Sequence, residues 1–312
     1  MIEMVIDARR KDLGGFEVGR ILPYARRRMV GPFIFLDQMG PAEFAAGAEA
    51  INVRPHPHIG LSTLTYLFEG EIMHRDNTGA TQAIRPGEVN WMTAGKGIVH
   101  SERTDPLKKA AGGPMHGMQA WIALPDHKED CDPAFLHFGE SDLPAYDHGG
   151  LFARLVAGEA YGASASVQGE SPLFYVHWDM QAGVRTAPPP GKGAGGYSER
   201  ALFVAKGTIE VDGREFHAGQ MIVLEPHAEP TVRSVTPSTV MALGGEPVGE
   251  RLIWWNFVAS SQARIDEAKA DWQAGRMTLP DEDSLEFIPL PDEPATNATK
   301  TGPVEPKPTD PV

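Results

Sequence analysis

The residues that could do chemistry fall in two short segments. His56 and His58 lie in Arg54-Pro55-His56-Pro57-His58-Ile59-Gly60, and His100 and Glu102 lie in Gly95-Lys96-Gly97-Ile98-Val99-His100-Ser101-Glu102. Each pair is spaced i, i+2, and alternate residues of a strand point to the same face. If the two strands approach inside a β-structure, three imidazoles and one carboxylate converge on one point. Gly95 and Gly97 can supply the tight turn that leads into the second pair. One isolated His-x-His is weak evidence, because strand histidines are often merely half-buried. Two such pairs, one led in by a glycine-rich turn, point to a mononuclear metal site. A nitrogen and oxygen set of this kind suits Fe, Mn, Co, Ni, Cu or Zn. Four protein ligands in a six-coordinate geometry leave two positions for water, O2 or substrate, which favours a catalytic site over a closed structural one.

The elements that must position these residues read as β-strands. Gly (34 residues) and Pro (27 residues) are scattered through the body. Between them lie short apolar runs such as Phe33-Ile34-Phe35-Leu36, Leu64-Thr65-Tyr66-Leu67-Phe68, Gln119-Ala120-Trp121-Ile122-Ala123-Leu124 and Phe174-Tyr175-Val176-His177-Trp178. This is the pattern of an all-β sandwich or barrel. The chain also repeats itself. Phe68-Glu69-Gly70-Glu71-Ile72 followed by Arg85-Pro86-Gly87-Glu88-Val89 matches Ala205-Lys206-Gly207-Thr208-Ile209 followed by His217-Ala218-Gly219-Gln220-Met221. Asp212-Gly213 in the second copy is a strong two-residue hairpin signal. Two similar β-domains are expected, with the polar segment Pro125–Asp130 as the linker between them.

The repeat is an internal control on the metal ligands. Counted from the matching glycines, His56 and His58 correspond to Gly193 and Gly195, and His100 and Glu102 to Val232 and Ser234. The second domain is therefore expected to be metal-free and structural. The clearest helix comes late. Ser260 or Ser261 can cap it, Ile265, Ala268 and Trp272 recur at helical spacing to pack on the barrel, and Gly275 can end it. After Pro280 the chain turns acidic and proline-rich, with eight acids against Lys300 and Lys307, and reads as a flexible tail.

Other residues carry weaker signals. His74, in Met73-His74-Arg75-Asp76, and His116 could support the ligands, since ligating histidines need their second nitrogen bonded; both read more simply as satisfied structural histidines. Gln119 and Trp121 share one face if their segment is a strand, and a Trp there is more often core than substrate wall. His127, His137, His148, His177, His217 and His227 have no partner at ligand spacing and read as surface or packing residues. The formal net charge is −14, which repels phosphate backbones and argues against direct nucleic-acid binding. No apolar run approaches the roughly 20 residues that span a bilayer. The N-terminus does not read as a signal peptide, and the single Cys131 excludes an intrachain disulfide framework. These features point to a cytoplasmic protein.

With these residues in hand, the sequence resembles the pirin family of bicupins. The resemblance runs from about Arg20 to Phe257. It is carried by Phe35-Leu36-Asp37-Gln38-Met39-Gly40-Pro41, by His56-Pro57-His58, and by Trp91-Met92-Thr93-Ala94 leading into Gly95–Glu102. Met115-His116-Gly117-Met118-Gln119-Ala120-Trp121 and Gly244-Gly245-Glu246-Pro247 add to it. The resemblance implies two cupin (double-stranded β-helix) barrels: an N-terminal metal-binding cupin over 1–130 and a metal-free cupin with the late helix over 131–280. A flexible tail at 281–312 would follow. It further implies one iron, as Fe(II), held by His56, His58, His100 and Glu102, with Mn, Ni, Co, Cu or Zn as substitutes. In the general cupin pattern a Glu follows the His-x-His pair by a few residues. Here Ser62-Thr63-Leu64 stands there, and Glu102 supplies the carboxylate.

The resemblance implies two kinds of function. One is a quercetin 2,3-dioxygenase that opens a flavonol ring with O2, releasing carbon monoxide, with Glu102 as ligand and catalytic base toward a small aromatic substrate. The other is a non-enzymatic, iron-dependent redox regulator acting through a protein partner.

Overall fold

The computed structural model describes residues 1–12, 17–48, 50–292 and 299–300. Its architecture is the expected all-β one, two barrels each formed by a large sheet and a four-stranded sheet, with every named strand pair antiparallel. In the first barrel the seven-stranded sheet runs in the order Ala134–Phe138, Val89–Thr93, Leu61–Glu69, Gly113–Ala123, Phe33–Phe44, Glu17–Leu22, Arg9–Asp12. Its smaller sheet runs Asn52–His58, Ile98–Arg103, Ile72–Asp76, Thr81–Ile84. In the second barrel the smaller sheet runs Arg185–Thr186, Val232–Ser234, Thr208–Val211, Arg214–His217. The hairpin read from Asp212-Gly213 is present, with both residues at positive φ (52° and 74°), as a two-residue turn matched to strand twist requires.

The large sheets of the two barrels pack face to face. Leu64 and Tyr66 of the strand Leu61–Glu69 enter one core cluster with Val156, Tyr175, Phe203, Met241 and Leu243 of the second barrel. Thr65, pointing the other way, lies inside the first barrel near Glu102 and Gln119. Both faces of this strand are therefore buried, which is why its sequence reads as a continuous run rather than an alternation.

The chain crosses between the barrels more often than a single boundary at 130 implies. Ile2–Asp7 pairs with Gln220–Leu224 of the second barrel. Ala134–Phe138, beyond the expected boundary, is the edge strand of the first large sheet, paired with Val89–Thr93. The segment expected as a linker is a short turn at Asp126–Lys128 followed by Glu129, which is buried and accepts the backbone N–H of Ser260 at 2.8 Å.

The late helix spans Gln262–Gln273 and is capped by Ser261, whose hydroxyl accepts from Arg264 N. Its buried residues are Ile265, Ala268 and Trp272, as the spacing predicts. They pack with Ile59, Val99 and Phe257, so the helix lies against the first barrel rather than the second. Residues 281–292 follow it along that barrel instead of leaving the surface at 281. Ile288 N donates to Pro55 O (2.8 Å), and Trp272 Nε1 donates to Ile288 O (3.1 Å). Asp283 receives a two-pronged bond from Arg103 at 2.8 and 2.9 Å. Composition alone hides this docking because it rests on a few specific anchors rather than on an apolar stripe. Residues 293–298 and 301–312 of the expected tail lie outside the described residues.

Candidate metal centre

The smaller sheet of the first barrel brings the two ligand-bearing strands side by side. In the register of Asn52–His58 with Ile98–Arg103, His100 sits directly opposite His56 and Ile98 opposite His58. The turn before the second strand closes through Gly97 N to Ala94 O, and Gly60 N bonds Gly95 O (2.9 Å), tying the ends of the two segments together. Gly95 has φ +50°, and a Cβ there would stand 2.0 Å from Cys131 O, so only glycine fits.

The three imidazoles converge. One ring nitrogen from each of His56, His58 and His100 lies within 4.8 Å of the others, and all three side chains are buried. In each ring Nδ1 is already engaged. His56 Nδ1 is 2.9 Å from Arg54 O, His58 Nδ1 is 3.1 Å from Asn256 O, and His100 Nδ1 is 3.4 Å from His74 Nδ1. A carbonyl can only accept, so His56 and His58 carry their protons on Nδ1 and present Nε2 as a lone pair. His100 Nε2 is buried and has no hydrogen-bond partner among the described residues. A buried nitrogen without a partner is costly unless something else occupies its lone pair. Burial, joined for His58 and His100 by the neighbouring rings, holds all three histidines below the usual imidazole range, His56 at about 4. They are neutral at neutral pH, the form a metal takes.

Glu102 lines the same cavity, on the same strand face as His100. Burial raises its pKa; the Gln119 side chain bonds its carboxylate, and Thr65 Oγ1 lies 3.4 Å from it while giving its proton to Gln119 Oε1 at 2.7 Å. The group of mutually close ligand atoms comprises the three histidines; Glu102 stands beside it. Fit to a metal thus rests on three facts of the structure: converging Nε2 atoms, Nδ1 atoms tied back, and one unsatisfied buried nitrogen.

The centre opens into a cavity of about 600 Å3. One wall is aromatic: Phe35 and Trp121 stack with centroids 4.0 Å apart, and Trp121 meets His58 edge-on at 5.0 Å. Trp121 is therefore wall as well as core. Arg20 lies over the Phe35 ring (4.5 Å) and grips Asp37 with two bonds of 3.0 and 2.9 Å. Ile288, from the docked segment, completes part of the rim.

The other histidines divide cleanly. His74 is buried and touches His100, so it belongs to the centre rather than to general packing. His116 faces away, receiving the Gln38 amide at 2.9 Å, and burial lowers it to about 4. His177 is a packing residue of the barrel interface, where Tyr66 Oη meets its Nδ1 at 2.9 Å. His127, His148, His217 and His227 are exposed and His137 is half-buried, bonded to Asn90.

The second barrel shows why the repeat does not duplicate the ligands. The strand equivalent to Ile98–Arg103 is Val232–Ser234, as the glycine count predicted. The partner that replaces Asn52–His58 is Arg185–Thr186, so Thr186 rather than Gly193 stands opposite Val232. A loop length difference between the copies misplaced that half of the count. Ile209 and Val211 stand where His74 and Asp76 stand in the first barrel, and both are in the second core.

Comparison with known families settles membership. The Pirin model matches residues 15–122 and the Pirin C-terminal cupin domain model matches residues 175–278. The chain belongs to the pirin family. A pirin-like protein of Caulobacter vibrioides is 60% identical over 294 residues, covering 94% of this chain and 100% of the relative. Among solved pirin-like folds, a structure titled quercetin 2,3-dioxygenase from Acinetobacter baumannii superposes with a TM-score of 0.87 at 34% identity, covering 96% of this chain and 98% of that one. A second structure of the same title and organism gives a TM-score of 0.82 at 26% identity, over 89% and 98% of the two chains. Among the described residues of this pirin-family chain, no helix is long and apolar enough to cross a membrane.

Proposed function

We propose that this pirin-family protein is a mononuclear metal-dependent dioxygenase that cleaves a flavonol ring with O2, quercetin being the model substrate. The observation that carries the reading is the convergence of three neutral imidazoles, one with an unsatisfied buried Nε2, at the base of a cavity with an aromatic wall. His56, His58 and His100 would hold the metal, with Glu102 as the fourth protein ligand. When bound, the metal supplies Lewis acidity and an O2 site, and Fe(II) is our assignment, with Mn, Ni, Co, Cu or Zn compatible with the same donors. Similarity to the quercetin dioxygenase structures supports the substrate class.

The chain's own residues account for the rest. A cavity of about 600 Å3 lies in the range of small-molecule sites, and the stacked pair Phe35 and Trp121 gives it an aromatic lining suited to an apolar aromatic ligand. Glu102 is assigned the proton of the flavonol hydroxyl, which it would take on a carboxylate oxygen. Burial raises its pKa, so the carboxyl retains a transferred proton better than an exposed one would. Gln119, itself held by Thr65, fixes its orientation.

The test is turnover of quercetin by the metal-loaded protein, followed as O2 uptake and carbon monoxide release. Release above that of free metal, lost in His56→Ala, is expected. A rate equal to free metal would overturn the reading.

A further inference from the structure

We infer that His74 and Asp76 form a proton-ordering pair that sets the tautomer of His100 and so fits its Nε2 for a metal; His74 is a positioning residue, and the inference rests on the reading that the three imidazoles hold a metal. His74 and Asp76 are themselves spaced i, i+2 on the strand Ile72–Asp76, so both point to the same face. That strand pairs with Ile98–Arg103, His100 opposite Asp76 and Glu102 opposite His74. Both side chains are buried, at 3% and 2% exposure. His74 Nε2 is 2.7 Å from Asp76 Oδ2, and His74 Nδ1 is 3.4 Å from His100 Nδ1.

The direction of the protons follows from the anchor at the far end. Asp76 Oδ1 accepts from Thr78 N (2.8 Å), Thr78 Oγ1 (2.6 Å) and Ala80 N (3.3 Å). These bonds, with that from His74, favour the ionised carboxylate against the desolvation that opposes it. An ionised carboxylate only accepts, so His74 holds a proton on Nε2, and as a neutral ring it leaves Nδ1 as a lone pair. The facing nitrogen of His100 must then be the donor. Its proton sits on Nδ1, and its Nε2 is left as a buried lone pair without a protein partner.

His56 and His58 reach the same tautomer through backbone carbonyls, which cannot change. His100 alone depends on side chains for it. His74 is held in plane by stacking on Phe135, with centroids 4.3 Å apart and 16° between planes. That contact makes Phe a shape-preserving replacement at position 74. Asn would instead put a carbonyl oxygen near the place of Nδ1 and keep the acceptor.

The test has two readouts on the full-length protein. Nitrogen-15 NMR of the metal-free protein is expected to show His100 with its proton on Nδ1 and His74 with its proton on Nε2; the reverse assignment would overturn the inference without any variant. Co(II) titration is expected to show His74→Phe weakened roughly 10–100-fold, with His74→Asn recovering most of the loss. Wild-type affinity in His74→Phe, or equal loss in Phe and Asn, would overturn it. A wild-type protein that binds no Co(II) would instead sink the metal reading, while the NMR assignment still judges the proton order.

Discussion

His56 and His100 face each other directly across neighbouring antiparallel strands, with ring centroids 4.4 Å apart. Each presents Nε2 inward because its Nδ1 is bonded elsewhere. Two buried imidazoles pressed together repel if both are protonated. The arrangement is stable with the rings neutral, the form in which their free ring nitrogens could take a metal ion.

The first prediction concerns that cation. His56→Ala, His58→Ala and His100→Ala each remove one donor from the buried cluster. Metal content after purification, measured by inductively coupled plasma mass spectrometry, should be near one ion per chain in the wild type and fall at least tenfold in each variant. Full metal retention in His56→Ala would remove the site assignment.

A second prediction separates the roles of Glu102. Glu102→Gln keeps the shape and the place beside Thr65 and Gln119 but cannot take a proton. Turnover of quercetin should fall about 10²–10⁴-fold, the range general-base removal produces. Metal affinity should fall less than in the histidine variants, since three imidazoles remain. Unchanged turnover would show that the proton goes elsewhere.

The third concerns pH. The folded pKa of His56 is about 4, against 6.5 for the ordinary group, because burial disfavours its charged form. The unfolded chain binds protons below 6.5 while the folded one does not, so stability is full above 6.5 and is lost as pH falls toward 4. His58 and His100 shift in the same direction. Urea unfolding of the metal-free protein should therefore show a loss of about 2 kcal/mol between pH 7 and 5 from His56 alone. Added metal, which binds only the neutral rings and so leaves the folded state holding no more protons than before, should raise the midpoint without flattening the slope. A pH-independent midpoint across this window contradicts the burial of neutral rings.

The fourth concerns the docked segment. Arg103 adjoins Glu102 and holds Asp283 and Glu286. Arg103→Ala leaves the half-buried Asp283 carboxylate without its main donor, a loss of about 1–2 kcal/mol of local anchoring. Limited proteolysis within 276–292 should accelerate roughly tenfold, and because Ile288 forms part of the cavity rim, KM for quercetin should rise more than kcat falls. An unchanged cleavage rate would show that the remaining anchors, among them the Ile288 and Trp272 bonds and the Thr81 bond to Glu282, fix the segment without Arg103.

Much of this was legible in the residues themselves. The His56–His58 pair meets His100 because alternate strand residues share a face, while Glu102, beyond a register irregularity after His100, lines the same cavity beside that group; the repeat around Gly70 and Gly207 gives two barrels. The third pair, His74 and Asp76, carries the same spacing signal, yet its function depends on which strand neighbours Ile98–Arg103, and pairing order is not a local property. Thr65 and Asn256 were invisible for a similar reason. The first is one polar residue in an apolar run, and the second contributes only a backbone carbonyl from a distant loop. The exchange of Ile2–Asp7 into the second barrel, and the docking of 281–292 on the first, are long-range closures that composition cannot encode.

The most direct measurement is carbon monoxide released from quercetin per metal ion supplied, compared among metal-loaded wild type, His56→Ala given the same metal, and free metal at the same concentration. Catalytic release by the wild type alone, many turnovers per metal, is the predicted result. Release no faster than from free metal, by a protein that demonstrably holds its ion, would contradict the dioxygenase reading while leaving the metal centre in place.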